Sequence, residues 1–208
     1  MTTSTRALTL RRAGIVLALS TLSAVAGCLG STPPRDHFYR LDTAKPAAAL
    51  SAPVLKGTLE VERFRADALT RERAILRVPS ADSLQVTPYT YQLWIDTPTV
   101  MLQRSLAQYL RLAGVADRVV LPEMNVDETY ELSGWIERLV HVRDEGRVIA
   151  ELEFSLIDAR GTSQPLRRSY RAEVAAGGGD MDEVVAAFNT AIGEIFGRLV
   201  ADIAAIQR

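Results

Sequence analysis

Cysteine is almost missing: the 208-residue chain has one, Cys28. A single thiol excludes an internal disulfide and the paired thiolates of a structural zinc site. Histidine is nearly as scarce. His37 and His141 stand far apart, each alone on an expected strand with no carboxylate or Cys at ligand spacing. Both therefore read as surface or satisfied structural residues, and no metal site is expected. Lysine occurs only at positions 45 and 56, the other 22 basic residues being arginine. These arginines form no basic stripe, so no nucleic-acid partner is expected. Catalytic signatures are lacking too. There is no Gly-x-Ser-x-Gly elbow. Gly177-Gly178-Gly179 precedes a helix but no Lys-Ser/Thr follows it, and Asp180, Asp182 and Glu183 would repel a phosphate there. Asp127-Glu128 and Asp144-Glu145 fall at strand ends or turns, where acids serve local structure. The expectation is a protein that is not an enzyme, with no catalytic residue and no cofactor.

Acidic residues are absent before Asp36, and what stands there instead is the most specific signal in the chain. Arg6, Arg11 and Arg12 form a positive start, followed by an apolar or small-residue stretch from Ala13 to Ala26. As a helix its about 14 residues reach about 21 Å, short of the roughly 30 Å of bilayer hydrocarbon. That length suits a signal peptide better than a membrane span. The stretch ends in Val25-Ala26-Gly27-Cys28, a lipobox in form: small residues let a peptidase approach the backbone, and the thiol takes diacylglycerol as a thioether. With an N-acyl chain added at the new N-terminus, the buried methylenes make a lasting anchor, at about 0.8 kcal/mol each. Leu29 follows with no Asp, which by analogy with the enteric sorting rule favours the outer membrane. The expected organisation is a signal peptide over 1–27, a lipidated tether over 28–36 and one domain over 37–208, lipid-anchored and facing the periplasm. Removing 1–27 takes three arginines from the 24 basic residues and none of the 25 acids, leaving a formal balance of −4.

Periodicity in the remainder separates strands from helices. His37–Leu41 reads as a short strand, Ala44–Pro53 as a loop, and Val54–Phe64 as a half-buried strand by its alternating Leu55, Gly57, Leu59 and Val61. Ala74–Val78 and Ser83–Val86 flank a predicted hairpin turn at Pro79–Asp82, and an aromatic-rich segment runs Tyr89–Trp94. Thr97 as N-cap, Pro98 at the first helical position and Gly114 past the end bracket a helix. Arg118–Leu121 is a short strand. Tyr130, Leu132, Gly134, Ile136, Val140 and Val142 alternate, with Arg138 as an exception. Val148 through Leu156 alternate in the return strand, with Ile149 and Ile157 as exceptions, and Leu166 through Val174 make a third strand. This is an antiparallel meander with one face buried. A long helix opens at Asp180, which with Glu183 resembles a capping box. Its stripe from Met181 to Ile203 is expected to pack on the meander, a surface for a partner helix being the alternative. The fold class expected is α+β, a mainly antiparallel sheet with two helices packed on one face.

Read in order, Phe38-Tyr39-Arg40-Leu41-Asp42 soon after the lipobox, Leu59-Glu60-Val61-Glu62-Arg63-Phe64, Ala68-Leu69-Thr70, Ala74-Ile75-Leu76-Arg77, then Tyr89, Tyr91, Trp94 and Pro98 leading into a helix with Leu102, Leu106 and Leu110 resemble the auxiliary lipoproteins of ABC-type transport systems, the PqiC/YmbA-like family. The resemblance covers nearly all of the chain beyond Cys28; Ile95-Asp96-Thr97 departs from the small residue and Glu often found there. It implies a non-enzymatic accessory of the cell envelope, working beside an MCE-domain protein, an ABC permease and an ATPase in lipid transport between membranes. An anchored domain gains effective concentration for such a partner. The expected partner surface is Phe38, Tyr39, Leu41, Tyr89, Tyr91 and Trp94, with core packing the alternative for each. Self-association is compatible with the sequence. Two other readings stay open: an envelope structural or assembly lipoprotein that binds peptidoglycan or an outer-membrane machine, and a hydrolase with an unrecognised site.

Overall fold

A 13-residue strand, Tyr130–Val142, is long enough to be joined by several partners in succession, and the sheet is assembled around it. The computed structural model describes residues 34–177 and 180–206; the expected signal peptide, the lipobox Val25-Ala26-Gly27 and Cys28 lie outside them. The unit considered is Asp36–Arg208. In chain order its strands are β1 (His37–Tyr39), β2 (Leu55–Val61), β3 (Arg65–Ala66), β4 (Ala74–Val78), β5 (Thr87–Trp94), β6 (Ala116–Val120), β7 (Tyr130–Val142), β8 (Arg147–Asp158) and β9 (Leu166–Ala175). The helices are α1 (Pro98–Ala113) and α2 (Met181–Ala205).

One edge of β7 pairs along its length with antiparallel β8, which pairs in turn with antiparallel β9. This is the expected meander. The other edge is shared: β2 joins at Tyr130–Leu132, β3 at Trp135–Ile136 and β4 at Val140–Val142, all parallel to β7. The sheet then divides, with β6 beyond β2 and β5 and β1 beyond β4. The class is α+β, as expected, with the long ladders antiparallel and the short joins mostly parallel.

Alternation along β7 changes hands midway. Leu132 and Ile136 face the helices and are fully buried. Ile136 registers with Leu152 but Arg138 with Glu151, so Glu137 is an extra residue, a β-bulge. Because side chains alternate with period two, one inserted residue exchanges the faces beyond it. Leu139 joins the core under the helices, while Val140 and Val142 point the other way and form a second cluster with Leu76, Val78 and Ile149. The expectation that Val140 and Val142 continue the face of Leu132 is thereby corrected. Arg138 and Ile149, two of the three exceptions in the sequence pattern, mark this device.

A second correction concerns Ser83–Val86, which is not a strand: β5 begins at Thr87. The Ser83 hydroxyl accepts from the Gln85 amide at 3.1 Å, bending the backbone out of any ladder. Leu84 in this loop is fully exposed.

Both helices cover the same face, α1 resting on β2 and β6 and α2 on β8 and β9. Aromatic contacts lock them in: Trp94 against Phe188 and Tyr109 against Phe196, each pair at 5.6 Å between ring centroids. By length and composition α2 could cross a membrane, yet its apolar stripe is buried in this core. Gly134 provides a close approach of another kind. A Cβ there would sit 2.6 Å from a ring carbon of Phe64, whose own ring meets Phe154 edge-on at 5.7 Å. Of the expected caps, Gly114 closes α1 in the left-handed region at φ 67°, and Asp180 accepts from the Asp182 amide at 3.0 Å. Thr97 holds the N-cap position of α1, but its hydroxyl lies beside that of Thr99 instead of the helix amides.

Candidate functional site

The face of the sheet away from the helices has three zones along β7. At the start of the strand, Glu60, Glu62, Glu128 and Glu131 gather. Burial, a hydrogen bond to Glu62 and the charges of Glu128, Glu62 and Glu131 push the Glu60 carboxyl up to about 7. In the middle, Trp135 is 46 % exposed beside a ladder of ion pairs. Arg167 meets Glu153 at 2.8 Å, Arg171 meets Glu173 at 2.7 Å and Glu151 at 3.4 Å, and Arg147 bridges Glu145 and Glu173. Beyond the bulge the ladder continues through Arg147, which registers with Val142, while the β4 side of β7 turns partly apolar, with Asp67, Asp82 and Glu137 among its lining residues. Leu76, Val78 and Val140 floor a groove of about 320 Å³, and Leu84 and Val86 from the 79–86 loop form one wall. That loop is fastened by the Arg138 guanidinium, which donates to the Ala81 carbonyl at 2.9 Å, and by Glu145, which accepts from the Ala81 amide at 2.9 Å.

The residues expected to meet a partner lie along the β1–β5 edge but are not equivalent. Phe38 is 53 % and Tyr91 40 % exposed, and Ile95 beside them 49 %. Arg73 sits over the Phe38 ring, 5.1 Å from its centroid. Tyr39 is half-buried and gives its hydroxyl proton to Gln92 Oε1 at 2.8 Å; Leu41 is half-buried against the core. Trp94 is 2 % exposed, so it packs the core and presents no surface. Backbone pairing explains the split: Tyr39 registers with Trp94 and shares its inward direction, whereas Phe38 registers with Leu93 on the other side.

Tyr89 does not join the outer aromatics. Its hydroxyl lies 2.7 Å from His141 Nδ1, and the two rings stack at 6.1 Å. His141 is 3 % exposed, as expected of a satisfied structural histidine. Burial, then the charges of Arg143 and Arg77, lower its pKa. Burial raises that of Tyr89 against the opposing pull of the same arginines. The contact is thus a hydrogen bond between two neutral groups. Arg77 covers the outer face of the pair, 4.8 Å from the Tyr89 ring centroid.

The other polar residues singled out in the sequence serve the frame. His37 lies exposed on β1. Asp144 and Glu145 belong to the 3₁₀ turn Arg143–Glu145 and pair with Arg143 and Arg147. Among the described residues no three His, Cys, Asp or Glu side chains come together as a metal site. Neither the groove nor the Tyr89–His141 pair was foreseen. The groove had a faint signal in the broken alternation at Arg138 and Ile149. The pair had none, because 52 residues separate its members.

Among solved structures, the chain is similar to protein XCC0632 from Xanthomonas campestris, with 17% identity and a TM-score of 0.71 over 82% of this chain and 96% of that one. It is also similar to an uncharacterized protein, with 16% identity and a TM-score of 0.59 over 84% and 100% of the two chains. These likenesses establish the fold. No curated protein matches. A family model described as "ABC-type transport auxiliary lipoprotein component" matches residues 39–204.

Proposed function

This chain belongs to the family of ABC-type transport auxiliary lipoprotein components, and from that membership we propose that it is a non-catalytic docking component of an MCE-type lipid transport system. In this reading Cys28 carries the lipid that holds the domain at the periplasmic face of the outer membrane, and the β1–β5 edge meets the MCE-domain partner, with an ABC permease and ATPase supplying the energy. The observation that carries the proposal is the extent of the family match, which takes in the whole sheet and both helices except the start of β1 and the last residue of α2. The solvent exposure of Phe38, Tyr91 and Ile95 on one edge supports the choice of surface, since large apolar side chains left exposed together are what a partner covers.

Affinity-tagged full-length protein, recovered from membranes with its lipid in place, is expected to bring an MCE-domain protein with it. A Cys28→Ser variant is expected to leave the membrane fraction. A Phe38→Ala/Tyr91→Ala variant is expected to stay there and recover at least tenfold less partner. Recovery of peptidoglycan-bound or outer-membrane assembly proteins in place of an MCE protein would overturn the reading in favour of a structural lipoprotein. Undiminished recovery by the double variant would remove the β1–β5 edge as the docking surface.

A further inference from the structure

At the end of β4 a pocket of about 170 Å³ opens between Arg77 and Arg143, with Thr87 and Gln85 on its polar side and Val78 and Pro79 on its apolar side. No carboxylate lines it. Arg77 makes no ion pair among the described residues. Arg143 gives its Nε–H to Asp144 at 2.8 Å, which leaves its terminal N–H groups for another acceptor. Two guanidinium groups facing one cavity repel each other unless an anion lies between them.

The cationic wall is also held in place. Arg77 lies against the Tyr89 ring, and that ring is fixed from behind by the 2.7 Å bond to buried His141. A ligand that meets an arginine already oriented loses less freedom on binding. We propose that this pocket binds a phosphate-sized oxyanion, with Arg77 and Arg143 donating to its oxygens and the Thr87 hydroxyl and the side-chain amide of Gln85 completing the shell. Planar guanidinium forks match the paired oxygens of phosphate, and two of them on one ligand make a charge-assisted site. A free phosphate and the phosphodiester of a lipid headgroup offer the same oxygens. The inference rests on the pocket alone and does not depend on the transport reading.

His141 reports on occupancy. Its titratable and charged neighbours are Tyr89, Arg77 and Arg143, and the arginines disfavour its protonation. An anion between them cancels that field, so binding raises the His141 pKa. The full-length His37→Gln protein in non-ionic detergent leaves His141 as the one imidazole to follow by NMR. Inorganic phosphate, added at low ionic strength, is expected to shift its titration upward in a saturable manner. Arg77→Gln is expected to weaken binding at least tenfold, and Arg77→Lys less. Asp144→Asn frees Arg143 and is expected to tighten binding severalfold, a gain that misfolding cannot imitate. Arg104→Gln, remote in sequence and already paired with Asp96, leaves binding unchanged.

Water-soluble short-chain phosphatidylglycerol is titrated in parallel. A response to both ligands, or to the diester alone, assigns a headgroup; a response to phosphate alone assigns a free phosphate. Absence of response to either ligand overturns the site. So does equal weakening by Arg104→Gln and Arg77→Gln, which reduces the effect to general surface charge.

Discussion

The helix-covered face and the open face of the sheet are lined by the same strands but obey different rules. Under α1 and α2, Leu132, Ile136, Leu152, Phe154 and Leu156 are fully buried, and aromatic edges interlock across the layers. The opposite sides of these strands carry Glu131, Trp135, Glu151 and Glu153, where most partners are ion pairs in water, each of small net worth. Most of the apolar burial lies on the helix side, with a smaller buried cluster of Leu76, Val78, Val140, Val142 and Ile149 on the other, where acidic, ionic and apolar patches share the remaining surface. The aromatic edge, the groove and the two-arginine pocket all lie outside the helix-covered core.

The most severe way to break this comparison is to exchange the faces. Deleting Trp135 turns Leu132 outward or, where the bulge takes up the gap, turns Ile136 outward and Glu137 into the core; loss of the cooperative urea transition is expected either way. Deleting Glu137, the bulged residue, keeps every face assignment and should preserve that transition. A Glu137 deletion that unfolds as completely as the Trp135 deletion would refute the bulge as the switch of faces. Next in size, Phe154→Ala should cost about 3–5 kcal/mol, against about 0.5 kcal/mol for Trp135→Ala on the open face. Equal urea midpoints for the two variants would erase the distinction between the faces. Gly134→Val, which forces the Phe64 ring from its place, should cost about 1–3 kcal/mol, and a compensating Phe64→Leu should recover part of it.

The smallest effect sharpens the acidic zone. The Glu60 carboxyl, at about 7 in the folded protein, lies above its ordinary 4.5. The folded state holds a proton that the unfolded chain releases between these values, so the contribution is fully present below about 4.5 and is lost as pH rises toward 7. Glu60→Gln should flatten that decline in urea midpoints measured between pH 5 and pH 8. An unchanged slope would show that Glu60 is not its source.

The helices and the meander are legible in the sequence because their signals are local. Pro98 and Gly114 bracket α1, Asp180 opens α2, and alternation interrupted at Arg138, Ile149 and Ile157, with turn residues at Glu145-Gly146 and Ala159-Arg160-Gly161, marks β7 to β9. What is not legible depends on distant partners. Alternation in β2 and the apolar run of β4 mark them as strands, but not that both run parallel to β7 on the same edge. The short β3 has too few residues for any period. Ser83–Val86 alternates like a strand, and only the Ser83 hydroxyl bond to the Gln85 amide reveals a bend. The candidate surface was half visible: Phe38 and Tyr91 are outward, but nothing local separates them from Trp94, whose place under Phe188 is set by a helix far along the chain. For want of a neighbour in sequence His141 reads equally as a surface or a structural residue; its neighbours Tyr89 and Arg77 come from β5 and β4.

The bulge at Glu137 makes the end of β7 a party wall between two apolar interiors. Leu139 belongs to one and Val140 to the other, adjacent in the chain and back to back across one layer of backbone. Cavities cut on either side share that backbone, so the costs of Leu139→Ala and Val140→Ala should not sum. The groove and the helix layer are in this sense one thermodynamic unit, and whatever fills the groove also bears on the packing beneath the helices.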